Sequence, residues 1–168
     1  MKILAVSGST RPDSSNQLLL KTIGRLVPQH DFRVYTSLDQ LPLFTATKEE
    51  SPFPVAVVDW RNEVQQSDAV FISTPEYLHN LPALLKNALE WLTTSGELYD
   101  KKVLPITFTP HPPRGEKAMQ SLIWSLQALK VNILGQLDLY QSGVVIQDGQ
   151  LQLSEDHEEL VQAAIRLL

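Results

Sequence analysis

The chain has 168 residues, 43% of them hydrophobic and 20% charged, which suits one compact domain, 1–168, with a sizeable core. The net charge is -5 and Lys and Arg are scattered without a basic stripe, which argues against a nucleic-acid partner. Cysteine is absent, which removes disulfides, thiolate metal sites and cysteine nucleophiles together; no apolar run reaches the roughly 20 residues of a membrane span and the opening residues show no signal-peptide layout, so a cytoplasmic protein with no membrane partner is expected.

The opening stretch, Met1 to Leu20, reads as strand, turn and helix. The apolar run Ile3-Leu4-Ala5-Val6 breaks at Ser7-Gly8-Ser9-Thr10, and Asn16 opens a leucine-rich segment. Leu19, Leu20, Ile23, Leu26 and Val27 then recur at helical spacing until Pro28. Phe32 to Tyr35 is a short alternating strand. Leu38 to Pro54 reads as loop, with Leu41 to Phe44 tucking under the sheet. A second helix covers Val55 to Gln66, with Val57, Trp60 and Val64 inward. Ala69 to Ser73 is a near-continuous apolar run, as expected of a strand buried on both faces.

Leu81, Leu84, Leu85, Ala88 and Leu92 mark a third helix, Val103 to Phe108 a fourth strand, and Met119 to Leu129 a fourth helix. Val131 to Tyr140 carries a fifth strand interrupted at Gly135. Val144 to Leu153 reads as a small hairpin or excursion turning at Asp148-Gly149. Asp156 to Leu168 is a last helix with acidic residues in its first turn, which suits the helix dipole. Five strands alternating with five helices imply a parallel sheet with helices on both faces, of order 2-1-3-4-5. That order puts the ends of strands 1 and 3 on either side of the switch point where ligands sit. The two most polar loops are those that leave these strands.

In the first loop, backbone N–H groups and the positive helix end converge, which favours a phosphate. Ser9, Thr10, Ser14 and Ser15 add hydroxyls, Asn16 an amide and Arg11 a guanidinium. The bland alternative is that Ser14 or Ser15 simply caps the helix; a cap needs one hydroxyl, and here several cluster with a cation. Neither a Walker A pattern nor G-x-G-x-x-G is present, so one monophosphate fits best. In the second loop, Pro75 and Pro82 stiffen the chain and Tyr77 offers an apolar face beside the switch point. Its spacing fits both a rim residue for a planar heterocycle and a core residue, with Glu76 solvated in the latter case. A serine hydrolase is disfavoured, because no G-x-S-x-G exists and the histidines show no evident acid partner.

Gly8 to Asn16, Pro75-Glu76-Tyr77, and Leu85-Lys86-Asn87-Ala88-Leu89-Glu90-Trp91 together resemble the NADPH-dependent FMN reductase family, over residues 1 to about 135. The family's marks are a G-S-x-R-x-x-S-x-N loop, a P-E-Y-N loop and an L-K-N-A-[IL]-[DE]-W helix. The resemblance implies a flavodoxin-like fold, FMN as cofactor, NAD(P)H as co-substrate, and a quinone, azo compound, chromate or free flavin as electron acceptor. It implies that Ser9, Arg11, Ser14 or Ser15, and Asn16 hold the FMN phosphate, with Ser14 at the family's spacing from Arg11. Pro75, Glu76 and Tyr77 would line the flavin ring and ribityl chain. Lys86, Asn87 and Trp91 read as structural, Asn87 bonding across to a loop and Trp91 packing under the sheet.

Three departures stand out. Leu78 replaces the family's Asn, so that polar contact is either lost or shifted to His79 or Asn80. Ala83 replaces a common Gly. The Gly-rich loop after strand 4 is here Thr109 to Gly115 with three prolines, which lack backbone donors; Arg114 or His111 would then meet the pyrimidine edge or a nicotinamide phosphate. No metal and no catalytic side chain is assigned, since the cofactor carries the hydride chemistry. The resemblance implies a dimer or tetramer, for which the apolar faces of the third and fourth helices, with Trp124 among them, are candidate contacts; Trp124 equally fits a core position. A non-enzymatic flavodoxin-like binding module is the rival reading.

Overall fold

The computed structural model describes residues 1–9, 11, 13–45 and 52–168. The elements are β1 (Lys2–Ser7), α1 (Ser15–Leu26), β2 (Asp31–Tyr35), α2 (Val55–Gln66), β3 (Ala69–Thr74), α3 (Ala83–Glu90), β4 (Lys102–Thr109), α4 (Glu116–Ala128), β5 (Asn132–Ile133), β6 (Leu137–Tyr140), β7 (Val144–Gln147), β8 (Gln150–Leu153) and α5 (Glu155–Ile165). Thr10 and Pro12 of the first loop, and residues 46–51 of the expected loop from Leu38 to Pro54, lie outside the described residues. The described part of that second loop includes a 3₁₀ turn, Leu38–Gln40.

The fold is flavodoxin-like. Its parallel sheet runs β2-β1-β3-β4-β5, as the alternation of strands and helices predicts, and β6 continues along β4. β5 and β6 pair with opposite ends of β4, Lys102 with Asn132 and Ile106 with Leu137, so they act as one strand broken around Gly135. Two cores cover the two faces. Leu4, Val6, Val70 and Ile72 pack with Trp60, Val64, Leu85 and Leu122 from α2, α3 and α4. Ile3, Ala5, Phe71, Leu104 and Phe108 pack with Leu19, Leu20 and Ile23 from α1 and Val161 from α5. This alternation along strands buried on both faces is what their unbroken apolar runs require.

Local chemistry sets the ends of the elements. α1 starts at Ser14, whose extended backbone and hydroxyl, accepting from Gln17 N–H at 3.2 Å, make it the N-cap. α5 starts likewise at Ser154, with Glu155, Asp156 and Glu158 in the first turn. The α-helical part of the third helix is shorter than its apolar spacing suggests, because after Glu90 the chain tightens into a turn in which Leu92 N–H bonds Leu89 C=O. Below it, Asn87 Nδ2 and Trp91 Nε1 both donate to Pro42 C=O, at 3.0 and 2.8 Å, and Phe44 N–H donates to Asn87 Oδ1 at 2.7 Å. This clasp holds the loop after β2 under the sheet. No helix among the described residues is long and apolar enough to cross a membrane.

Candidate functional site

An open cleft of about 670 Å³, counting its solvent-facing mouth, lies at the carboxyl ends of β1, β3 and β4, within the usual range for small-molecule sites. It contains Ser9, Arg11, Ser14, Ser15, Asn16, Pro75, Glu76, Tyr77 and Arg114, nine of the ten residues singled out from the sequence. Leu78 is the tenth and is not in its wall. Phe108, Thr109, Pro110 and Gln141 complete the lining. Gln141 and Phe108 escaped the sequence reading. Gln141 follows the end of β6, so the rule that ligands gather at strand ends, applied to the last strand, was the signal available.

β1 delivers the first loop. Gly8 N–H donates to Ser73 C=O at 2.8 Å, extending the β1–β3 register by one residue. A methyl group at Gly8 would meet Thr74 Oγ1 at 2.9 Å and Leu85 Cδ2 at 3.1 Å, so only glycine lets the chain leave the sheet this close to β3. Ser9 follows, buried, with its N–H on Ser7 Oγ at 3.2 Å. Arg11 C=O accepts from Ser14 N–H at 3.1 Å, which turns the loop into α1. Arg11 itself is exposed and makes no ion pair among the described residues. Ser15 and Asn16 are the first two residues of α1, so their N–H groups precede the first helical bond.

The carboxamide of Asn16 is committed to the scaffold. Its Nδ2 donates to Phe108 C=O at 3.2 Å and its Oδ1 accepts from Ser73 Oγ at 2.7 Å, with the residue 2% exposed. It ties α1 to β3 and β4 across the switch point, which leaves its backbone N–H as the group offered to the cleft.

Glu76 is committed as well. Its Oε2 accepts from the N–H groups of Gly115, Lys117 and Ala118 at 3.1, 3.1 and 3.2 Å, and the residue is 8% exposed. The carboxylate thus fills the N-terminus of α4 and ties the loop after β3 to it. Glu76 is therefore buried, not solvated. His79 Nδ1 lies 3.5 Å from Glu76 Oε1, an acid neighbour that the sequence did not reveal, yet His79 bonds no serine among the described residues.

Between Tyr77 and Asn80 the chain makes a tight two-residue turn. Tyr77 N–H donates to Asn80 C=O at 3.0 Å and Asn80 N–H to Tyr77 C=O at 2.9 Å, while Leu78 and His79 both take left-handed backbones, at φ 50° and 58°. Such a turn favours Asn or Gly. It points Leu78 into solvent, 98% exposed, and leaves Tyr77 54% exposed on the rim, outside both cores.

The proline-rich wall is held from within. Thr109 Oγ1 donates to Arg114 C=O at 2.7 Å, and Arg114 N–H donates to His111 C=O at 3.1 Å. The N–H groups of Arg114 and Gly115 are therefore taken, and the wall presents side chains, with Arg114 exposed at its end. At the end of β6, burial first, then Asp138 and Glu116, push the Tyr140 phenol above its ordinary range.

The donor set fits a flavin nucleotide. The loop after β1 gives the lining hydroxyls, a guanidinium and a helix N-terminus, which suit a phosphate. The loops after β3 and β4 give it an aromatic ring and proline faces, which suit a flat ring. The acidic side chain in the lining is satisfied by three N–H groups.

A parallel sheet of this order with a cleft at its switch point defines a flavodoxin-like α/β protein. The chain belongs to the NADPH-dependent FMN reductase family, whose model matches residues 1–143. It is similar to the NADH:(hydroxy)cinnamate reductase subunit CrdA of Vibrio ruber, 37% identical over 123 residues, which cover 72% of this chain and 59% of the relative. It is also similar to the quinone reductase of Escherichia coli K12, 32% identical over 95 residues, 55% of this chain and 50% of the relative. The matched parts thus span only about half to three-fifths of these curated relatives. The solved structure of FerB, a flavoenzyme NAD(P)H:(acceptor) oxidoreductase from Paracoccus denitrificans, superposes with a TM-score of 0.84 at 21% identity. That match covers 99% of this chain and 94% of FerB, and shows the shared fold. FMN and NAD(P)H are the cofactor and co-substrate expected of this family.

Proposed function

We propose that the protein is a cytoplasmic FMN-dependent NAD(P)H oxidoreductase, acting as a homodimer or homotetramer, whose acceptor is a small molecule such as a quinone, an azo compound, chromate or free flavin. One observation carries this reading: Arg11 and the open first turn of α1 share a cleft with Pro75 and Tyr77, at the ends of β1 and β3. When bound, FMN supplies the hydride relay between NAD(P)H and the acceptor. The chain's residues bind and orient it. Arg11 supplies the counter-charge for the phosphate, and the N–H groups of Ser15 and Asn16 and the hydroxyls of Ser9 and Ser15 supply donors. Ser14 holds the helix end open by capping it from its own side chain. Tyr77 and Pro75 give the ring an apolar edge. Arg114, which lines the same cleft, meets the pyrimidine edge or a nicotinamide phosphate in this reading. Trp124, 64% exposed on α4, supports the oligomer.

The test is to titrate the purified protein with FMN, then add NADPH or NADH without oxygen and follow the flavin absorbance. Bound flavin that bleaches and recovers on adding a quinone is the expected result. Bound flavin that never bleaches leaves a binding module, and absence of binding removes the assignment. Arg11→Ala weakens FMN binding by about ten- to a hundredfold, the usual loss for a charge-assisted contact. Arg25→Ala, in the last turn of α1, leaves it unchanged.

A further inference from the structure

Gln141 opens the 3₁₀ turn Gln141–Gly143 that follows β6, and is one of the residues that line the cleft. Its Nε2 donates to Ser15 Oγ at 2.9 Å, across a separation of 126 residues. A hydroxyl carries one proton and two acceptor sites. With an N–H already on its oxygen, Ser15 keeps its proton for an acceptor elsewhere, and no group among the described residues takes it. Ser15 is also the first residue of α1, where an anion is favoured.

The turn that carries Gln141 is fixed from behind. Gly143 C=O accepts from Ser154 N–H at 3.0 Å and from His157 Nδ1 at 3.1 Å. A methyl group at Gly143 would overlap the His157 imidazole, so the turn is pressed against α5. The backbone that carries Gln141 is therefore held by the β4–β6 pairing before it and by the start of α5 after it.

We propose that Gln141 is a positioning residue for the flavin phosphate: its amide N–H orients the Ser15 hydroxyl so that the hydroxyl donates to the phosphate. This rests on the flavin reading above. The amide binds the hydroxyl oxygen and leaves the proton directed at the anion, so the gain falls on FMN and not on riboflavin, which lacks the phosphate.

The experiment measures the dissociation constants of FMN and riboflavin for the wild-type apoprotein and for Gln141→Leu, Gln141→Glu, Ser15→Ala and the double variant Ser15→Ala/Gln141→Leu, by flavin fluorescence, with melting temperatures alongside. Gln141→Leu is expected to lower the FMN-to-riboflavin preference about three- to tenfold, with riboflavin affinity unchanged. Gln141→Glu, nearly the same size, accepts the Ser15 proton instead and adds a negative charge, so the preference falls further. In the Ser15→Ala background, Gln141→Leu has no further effect. An unchanged preference in Gln141→Leu, or an equal loss with and without Ser15, overturns the proposal while the flavin reading stands. A wild-type protein that binds FMN no better than riboflavin overturns the proposal, and one that binds neither overturns the flavin reading as well.

Discussion

At the scale of single residues, the informative ones are polar groups already committed within the protein. Glu76 sits in the cleft wall, yet its carboxylate is engaged by three N–H groups at the start of α4. Bonds from N–H groups to a buried carboxylate are among the stronger ones, about 1.5–3 kcal/mol each before non-additivity. Glu76→Ala strands those three donors and removes the charge that faces the helix dipole, and costs about 3–5 kcal/mol of stability. Glu76→Gln keeps an acceptor oxygen and costs about 1–2 kcal/mol, the part owed to charge. Urea unfolding of the two variants reads both numbers; equal losses would show that charge contributes everything and hydrogen-bond acceptance nothing. Asn16 follows the same logic at α1, with both ends of its amide spent on β3 and β4.

At the scale of elements, periodicity and turn residues carried most of the fold. α2 runs from Val55 to Gln66 as its spacing indicates, and the hairpin β7–β8 turns at Asp148-Gly149, whose left-handed backbones the residue types announce. The break at Gly135 was legible too, as was the strand order. The turn at Leu78-His79 was not, because its residues lack the Asn-Gly signature; the loop's partners impose it. Nor was the destination of the Glu76 carboxylate, 39 residues from Gly115, or of the Gln141 amide, 126 residues from Ser15. Such pairings depend on where distant elements meet, and local pattern holds no record of them. The turn yields its own prediction. A leucine at φ 50° is strained, whereas asparagine takes that conformation readily. Leu78→Asn therefore stabilises by about 0.5–1 kcal/mol, and Leu78→Val, β-branched in the same conformation, destabilises by a similar amount. Thermal melts of the pair measure the difference; a valine variant as stable as the asparagine one would mean that the backbone relaxes.

At the scale of the whole molecule, the family match ends at residue 143 but the second core does not. Leu151 of β8 is 2% exposed and Val161 of α5 is fully buried, both packed with Leu19, Leu20 and Phe108. Thr22 Oγ1 of α1 donates to Leu151 C=O at 3.0 Å, so hairpin and helix are joined by a buried hydrogen bond as well as by apolar contact. The same segment fixes the turn bearing Gln141 through Gly143 and His157. The last 25 residues therefore complete the α1 face of the sheet, and that face aims the first turn of α1 at the cleft. If so, Leu151→Ala costs about 2–5 kcal/mol, the range for a buried leucine, although it lies on the peripheral hairpin. Ile146→Ala, on the same hairpin but 45% exposed, stays within about 0.5 kcal/mol. Urea unfolding followed by tryptophan fluorescence, with Trp60 and Trp91 buried on the opposite face, reports whether the two cores unfold as one. A loss of less than 0.5 kcal/mol in Leu151→Ala, again about the surface range, or a separate transition for the hairpin, would make β7, β8 and α5 an appendage and leave α1 to be held by the sheet alone.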